Sequence, residues 1–247
     1  MPVIAVYSVK GGVGKTTLAV DLAWRCAQIG NFRTLLWDLD QQGGAGFLLD
    51  AAPRRTARAM SLFHRDTRPR DLIERSKFDQ LDLIQADESL RAMPVQLARI
   101  GGRTRLAQLL AFLRADYRRI VLDCPPMVNE VSDQILAAAD VVLLPLPPSP
   151  LASRALNQVQ EEIRRHHKSR PPILPILSMY DCRRKLHREV RDGEGKGWPV
   201  IPQSSHVEQM ALRREPLPLF ANSSEASRAM GRLWSAVEMK LVELGRA

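Results

Sequence analysis

The stretch VYSVKGGVGKTTLAVDLAW, residues 6–24, decides the fold. An apolar, β-rich run (VIAVYS, 3–8) leads into a glycine cluster, and the segment TTLAVDLAWRCAQIG (16–30) follows at once. In that segment Leu18, Leu22 and Cys26 recur four apart with Ala19 and Ala23 beside them, the spacing of one apolar helix face, and Gly30 supplies a stop. Strand, glycine loop and helix in that order make an anion site. Gly11, Gly12 and Gly14, with Val13 between them, let the backbone curl so that its N–H groups point inward, and the helix N-terminus adds partial positive charge. Gly14, Lys15 and Thr16 fill the end of the phosphate-loop pattern G-x-x-x-x-G-K-[ST], but its first glycine falls on Val9. The chemistry survives that departure: Lys15 is placed for the β- and γ-phosphates, the Thr16 hydroxyl for Mg2+ and Thr17 for the α-phosphate. A second lysine, Lys10, stands in the middle of the loop, and the general pattern has no role for it.

Outward from this motif, apolar runs at 33–40, 81–86, 118–126, 139–148, 171–181 and 198–202 read as further strands. Helical spacing separates most of them, at 103–117, 150–168 and 224–245; the Arg- and Asp-rich stretch 51–80 reads as loop plus short helix. Strands apolar throughout and alternating with helices predict an α/β fold. Its doubly wound, mostly parallel sheet carries helices on both faces, forms a single domain over 1–247, and binds ligands at the carboxyl ends of the strands.

Composition narrows the partners. The 247 residues hold 36 Lys+Arg against 27 Asp+Glu, a net +9, which points to a polyanion such as nucleic acid or an anionic membrane surface. Cys26, Cys124 and Cys182 are odd in number and lack CxxC spacing, so neither a disulfide framework nor a zinc site is expected, and a reducing cytoplasm fits. No signal-peptide pattern opens the chain and no apolar run reaches membrane-span length. His166, His167, His187 and His206 have no ligand spacing and read as surface residues.

KGGVGKTT resembles the deviant Walker A motif of the ParA/MinD family of P-loop ATPases, and the resemblance extends over nearly the whole chain. It implies ATP and Mg2+ as cofactors and a role for Lys10: reaching across an ATP-dependent homodimer to the partner's nucleotide. LLWDLDQQGGAG (35–46) resembles the family's switch I segment D-x-D-P-Q-G-N, with Gln41 for the usual Pro and Gly44 for the usual Asn. There Asp40 would orient the attacking water near the metal and Asp38 would support the site. IVLDCPP (120–126) resembles Walker B and switch II, with Asp123 near Mg2+ and Cys124 as packing. VIPQSSHVEQMALRREPL (200–217) resembles the segment beside the adenine pocket, where Pro202 would border the base. By resemblance, then, Lys10, Lys15 and Asp40 are catalytic, the loop from Lys10 to Thr17 and Pro202 bind nucleotide, and Thr16, Asp40 and Asp123 surround the metal.

Two platforms divide that family, DNA and membrane. The C-terminal segment RLWSAVEMKLVELGRA interleaves Glu238 and Glu243 with its bases and continues the apolar stripe begun at Ala226, so it reads as a core helix without stable membrane insertion. Positive charge gathers at Arg183, Arg184, Lys185 and Arg188, and again at Arg213 and Arg214, in the part where the family binds DNA nonspecifically. The first strand starts at residue 3, so no helix-turn-helix domain is expected ahead of it. The resulting expectation is a cytoplasmic, nucleoid-associated ParA-type ATPase that segregates or positions a plasmid, chromosome or protein complex, stimulated by a ParB-like or other partner. Alternatives are a MinD-like membrane-cycling ATPase, an accessory ATPase of a cell-envelope synthase, and a metabolic enzyme on the same fold.

Overall fold

A computed structural model describes residues 1–52, 58–63, 68–100, 104–166 and 171–246. Among them eight strands form one sheet: β1 (Val3–Val6), β2 (Thr34–Asp38), β3 (Glu74–Arg75), β4 (Leu81–Ile84), β5 (Arg119–Asp123), β6 (Val141–Leu146), β7 (Ile173–Tyr180) and β8 (Val200–Pro202). The spatial order is β3-β4-β2-β5-β1-β6-β7-β8, parallel throughout except that β3 runs against β4. The helices are α1 (Lys15–Gln28), α2 (Gly44–Leu48), α3 (Met93–Ile100), α4 (Arg105–Leu113), α5 (Glu130–Ala138), α6 (Leu151–His166), α7 (Lys185–Asp192), α8 (Ser205–Arg213), α9 (Pro218–Ala221) and α10 (Glu225–Glu243).

Strand alternation sorts the core into two layers. Val3, Ala5 and Tyr7, with Leu35, Trp37 and Leu122, face the layer formed by α3, α4, α5 and α6. Ile4, Val6, Leu36 and Val121 face α1 and α10. This is the doubly wound arrangement the apolar runs imply, since strands covered on both faces need no polar side. All seven expected strands are present. The eighth, β3, lies inside 51–80 and lacks any apolar run, so periodicity does not reveal it. The helices of that stretch are 3-10 turns, Ala59–Leu62 and Pro69–Leu72, while 53–57 and 64–67 lie outside the described residues. Helix α5 has a local start signal. Its start is set by Asn129, whose side chain accepts from the Val131 N–H in a capping box closed by Ser132.

One expectation needs correcting. Helix α1 does not present a single apolar face; every residue from Leu18 to Ala27 is buried. The sheet covers one side and α10 and α2 cover others, so Asp21 and Arg25 are buried as well. They form an i,i+4 ion pair whose guanidinium also donates to the Ser227 carbonyl at 2.9 Å and hydroxyl at 3.1 Å. That fork ties the helix behind the phosphate loop to α10.

The C-terminal helix is a core element, as its stripe predicts. Ala226, Met230, Leu233, Val237 and Leu241 are buried. Glu238 is spent inward: it accepts both guanidinium bonds of Arg119, at 2.6 and 3.1 Å, while that guanidinium stacks on Phe32 at 4.1 Å. No helix among the described residues is long and apolar enough to cross a membrane. Removing Glu238 strands a guanidinium that is 2% exposed. Glu238→Ala should therefore cost about 2–3 kcal/mol, somewhat below the full penalty for breaking a buried pair because the carboxylate is partly solvated. Urea unfolding read by tryptophan fluorescence measures it; an unchanged midpoint would refute the assignment.

Candidate functional site

The loop between β1 and α1 forms a bowl. Gly12 (φ 70°) and Gly14 (φ 89°) occupy the left-handed region that side chains rarely adopt, which is why glycine stands there. A Cβ built at Gly11, Gly12 or Gly14 would meet nothing within 4 Å, so the bowl opens onto free space. Val13, between them, is buried. The Lys15 side chain is only 6% exposed and its ammonium donates to the Lys10 carbonyl at 3.3 Å, folded along the inside of the loop. Thr16 and Thr17 open α1 half-buried, with no acidic residue in the first turn to compete with an anion. Lys10 is half-buried, and no acidic side chain among the described residues pairs with it.

Register delivers the acids. Asp38 ends β2 opposite Asp123 on β5, and Asp123 in turn stands opposite Val6 on β1, where the loop begins. Both carboxylates are fully buried. Asp38 is satisfied: it accepts from the Asp40 and Ala45 N–H groups, each at 3.0 Å, and so folds the 38–45 turn. Asp123 is not: neither of its buried oxygens makes a hydrogen bond of good geometry, although the Thr16 hydroxyl lies close by. Burial pushes the Asp123 carboxyl up to about 7; the Thr16 hydroxyl and the Lys15 charge pull it down, and the Asp40 charge pushes it up. Burial and the neighbouring Asp123 charge also raise Asp38. Two buried carboxylates side by side, one of them orphaned, call for a cation.

Asp40 is half-buried at the mouth, its carboxylate accepting from the Gln42 N–H at 3.1 Å and its carbonyl from the Gly43 N–H at 2.9 Å. The turn is thus closed without the proline the family uses, Gln41 standing in its place. Gly44 has a structural reason: a Cβ there would lie 3.0 Å from the Thr16 methyl, so α2 packs directly on the threonine that opens α1. No group of three or more His, Cys, Asp or Glu able to hold a metal alone occurs among the described residues. Thr16, Asp123 and Asp40 instead fit a hard divalent ion that takes most of its oxygens from phosphate and water.

Beside the loop lies a cavity of 260 Å³ lined by Gly14, Thr17, Leu48, Pro202 and Val207 among others. Pro202 ends β8 and lines this cavity. Ser178 was missed. Its hydroxyl is buried and unpartnered against the same cavity, and the following Met179 has φ 55° in a bulge of β7. No sequence signal marks a bulge of this kind.

The basic residues fall into two groups, and both are exposed. Around α7, Arg183 pairs with Asp181, Lys185 with Glu189, and Arg188 donates to the carbonyls of Cys182 and Arg183. Arg184 has no acidic partner among the described residues. At the end of α8, Arg213 stacks on Phe220, while Arg214 stacks on Phe47 and pairs with Asp50, bridging to α2. His187 departs from expectation: it is buried, its Nδ1 accepting from the Asp181 N–H at 2.9 Å, and burial together with Arg184 lowers its pKa. His206 is exposed; His167 and the His166 side chain lie outside the described residues.

Known proteins resemble this chain in sequence and in fold. A family model described as an AAA domain matches residues 1–176. The chromosome partitioning protein ParA of Caulobacter vibrioides is 32% identical over 246 residues, covering 94% of this chain and 91% of its own. An ATP complex of Cyanothece McdA superposes with a TM-score of 0.83 at 20% identity, over 96% of each chain. The septum site-determining protein MinD of Pyrococcus horikoshii, complexed with Mg-ADP, gives 0.78 at 19% identity over 100% of this chain and 98% of its own.

The orphaned carboxylate makes a stability prediction. A carboxyl raised from 3.8 to about 7 in the folded state stabilises the fold below the unfolded value and loses that contribution as pH rises through the folded one. Without nucleotide or magnesium, the wild type should lose stability between pH 4 and 8. Asp123→Asn should flatten that loss and be the more stable protein at pH 8, by on the order of 2 kcal/mol. Magnesium with ATP should then stabilise the wild type far more than the variant. Thermal melts across pH decide it, and an Asp123→Asn protein less stable at pH 8 would contradict the assignment.

Proposed function

The chain belongs to the ParA/MinD family of P-loop ATPases, and from that footing we propose that it is a ParA-type ATPase working as a single domain over 1–247, which dimerises on ATP, binds DNA nonspecifically and segregates or positions a cargo. As a class it is a partitioning or positioning ATPase. The observation that carries the finer reading is the division of labour between two lysines on one loop: Lys15 lies along the inside, whereas Lys10 has no acidic partner among the described residues. A cation held at the rim and left unneutralised is suited to a second nucleotide brought up by another copy, much as an arginine finger is supplied in trans.

Magnesium, when bound with ATP, would neutralise phosphate charge and polarise the transferred phosphoryl group. The chain's own residues do the rest. Gly11 to Gly14 and the N-terminus of α1 hold the phosphates, with Thr17 beside them. Lys15, buried along the loop, supplies a fixed positive charge to them. Thr16 and Asp123 hold the metal side. Asp40, tethered through the Gln42 N–H at the mouth, orients the attacking water. Pro202 and the cavity wall take the base. In the cytoplasm the ATP form would associate with the nucleoid through Arg183, Arg184, Lys185, Arg188, Arg213 and Arg214, and a ParB-like or other partner would stimulate hydrolysis and release. Of these, Arg184 is the freest and Arg214 the most engaged within the protein. The packing of α10 favours DNA over a membrane as the platform, since its apolar stripe, Ala226, Met230, Leu233, Val237 and Leu241, is already buried against the core.

Mobility-shift assays with a nonspecific duplex, run with ATP, ADP or no nucleotide at two salt concentrations, test this reading. Binding should require ATP, weaken with salt and be lost in Lys10→Ala. No binding under any nucleotide would refute the DNA platform while leaving the ATPase standing. In a separate assay, Asp40→Ala should retain ATP affinity within about twofold while turnover falls on the order of a hundredfold, as expected on losing a group that acts only in the transition state. Turnover at the wild-type rate would remove Asp40 from its role.

A further inference from the structure

Tyr7 is the first residue beyond β1 and lies three residues before Lys10. Its N–H donates to the Leu143 carbonyl at 2.9 Å, so its backbone is still held by β6. The ring is 1% exposed, among the side chains facing α5. Its hydroxyl leaves that core and donates to the Met127 carbonyl at 2.8 Å. Met127 sits in the loop that follows Asp123, between Pro125 and the start of α5, with Pro126 exposed and Val128 44% exposed. The bond therefore joins the strand that carries the phosphate loop to the loop that leaves the orphaned carboxylate.

Helix α5 does not need this bond, because Asn129 and Ser132 already cap it. Nor does the loop's own turn, closed by the Met127 N–H on the Pro125 carbonyl at 3.0 Å. What Tyr7 adds is attachment to another strand. The bond is a link from a segment that is otherwise partly exposed, at Pro126 and Val128, to the strand behind the phosphate loop.

We propose that the Tyr7 hydroxyl latches the 125–128 loop to the phosphate-loop strand, and that Tyr7 is a positioning residue for ATP turnover. It touches no reacting atom. It keeps the segment after Asp123 in step with the segment before Lys10, so displacement of either loop reaches the other through one hydrogen bond. The kinetic half of the proposal rests on the ATPase reading given above.

Tyr7→Phe tests it, keeping the ring and removing the hydroxyl alone. In the full chain without nucleotide, amide exchange should quicken for peptides spanning Met127 to Asn129 and stay unchanged in α5 and β1. Turnover should fall roughly three- to tenfold, the consequence of losing one ordinary hydrogen bond, with ATP affinity within about twofold of wild type. Unchanged exchange in the loop, quickening spread through β1 and α5, or affinity falling in step with turnover would each overturn the latch. Unaltered turnover beside a loosened loop would overturn the positioning role. Failure of the wild type to hydrolyse ATP would overturn the function proposed above instead, and the nucleotide-free exchange comparison would still decide the latch.

Discussion

Asp38 and Asp123 end adjacent strands in direct register, both out of contact with water, and only one has its oxygens satisfied. That juxtaposition is the constraint on which the rest of the structure depends. Burying one carboxylate costs folding free energy, and burying two together costs more unless positive charge answers them. The protein supplies part of the answer through Lys15, folded inside the loop, while burial raises both carboxyls and so disfavours their charged forms.

Holding such a site requires rigid surroundings. Helix α1, which follows the glycine loop, is enclosed on nearly all sides, and its buried ion pair is forked onto Ser227 of α10. Helix α10 is fixed again through Glu238 to Arg119 at the start of β5, the strand whose far end carries Asp123. The polar bonds on this side of the sheet thus brace two of the three strands and loops that meet at the site. On the other side Tyr7 binds the loop that follows β5. Small α2 closes the arrangement by packing Gly44 against Thr16 and by its Phe47, on which Arg214 stacks.

The outer surface is governed by weaker rules. Arg183, Lys185 and Arg191 have acidic neighbours on the same short segment, yet these are exposed pairs and contribute little to stability. Their side chains can exchange a carboxylate for a phosphate at small cost. Arg214, stacked and paired across to α2, has more to lose. A net charge of +9 gives the surface its attraction for polyanions without deciding which arginines make contact.

How much of this was legible in the sequence follows from the range of the interactions. The loop glycines, the helix behind them and the paired lysines are local features, written in spacing and in the φ values that only glycine tolerates. For the same reason Asp38 and Asp123 could be placed at strand ends, whereas the roles given to Asp40 and Pro202 rest on resemblance. The two-residue β3, the burial of Asp21, Arg25 and His187, the bulge at Met179 and the unpartnered Ser178 carry no local signature, because each exists only through residues distant in the chain. Thus the sequence by itself determined the order of strand, loop and helix and the glycine and lysine pattern of the loop. Tertiary structure alone decided which acid is satisfied and which is orphaned, how far α1 is enclosed, and which phenol reaches which carbonyl. Those outcomes depend on strand register and on exclusion of water, and both arise only when distant segments pack.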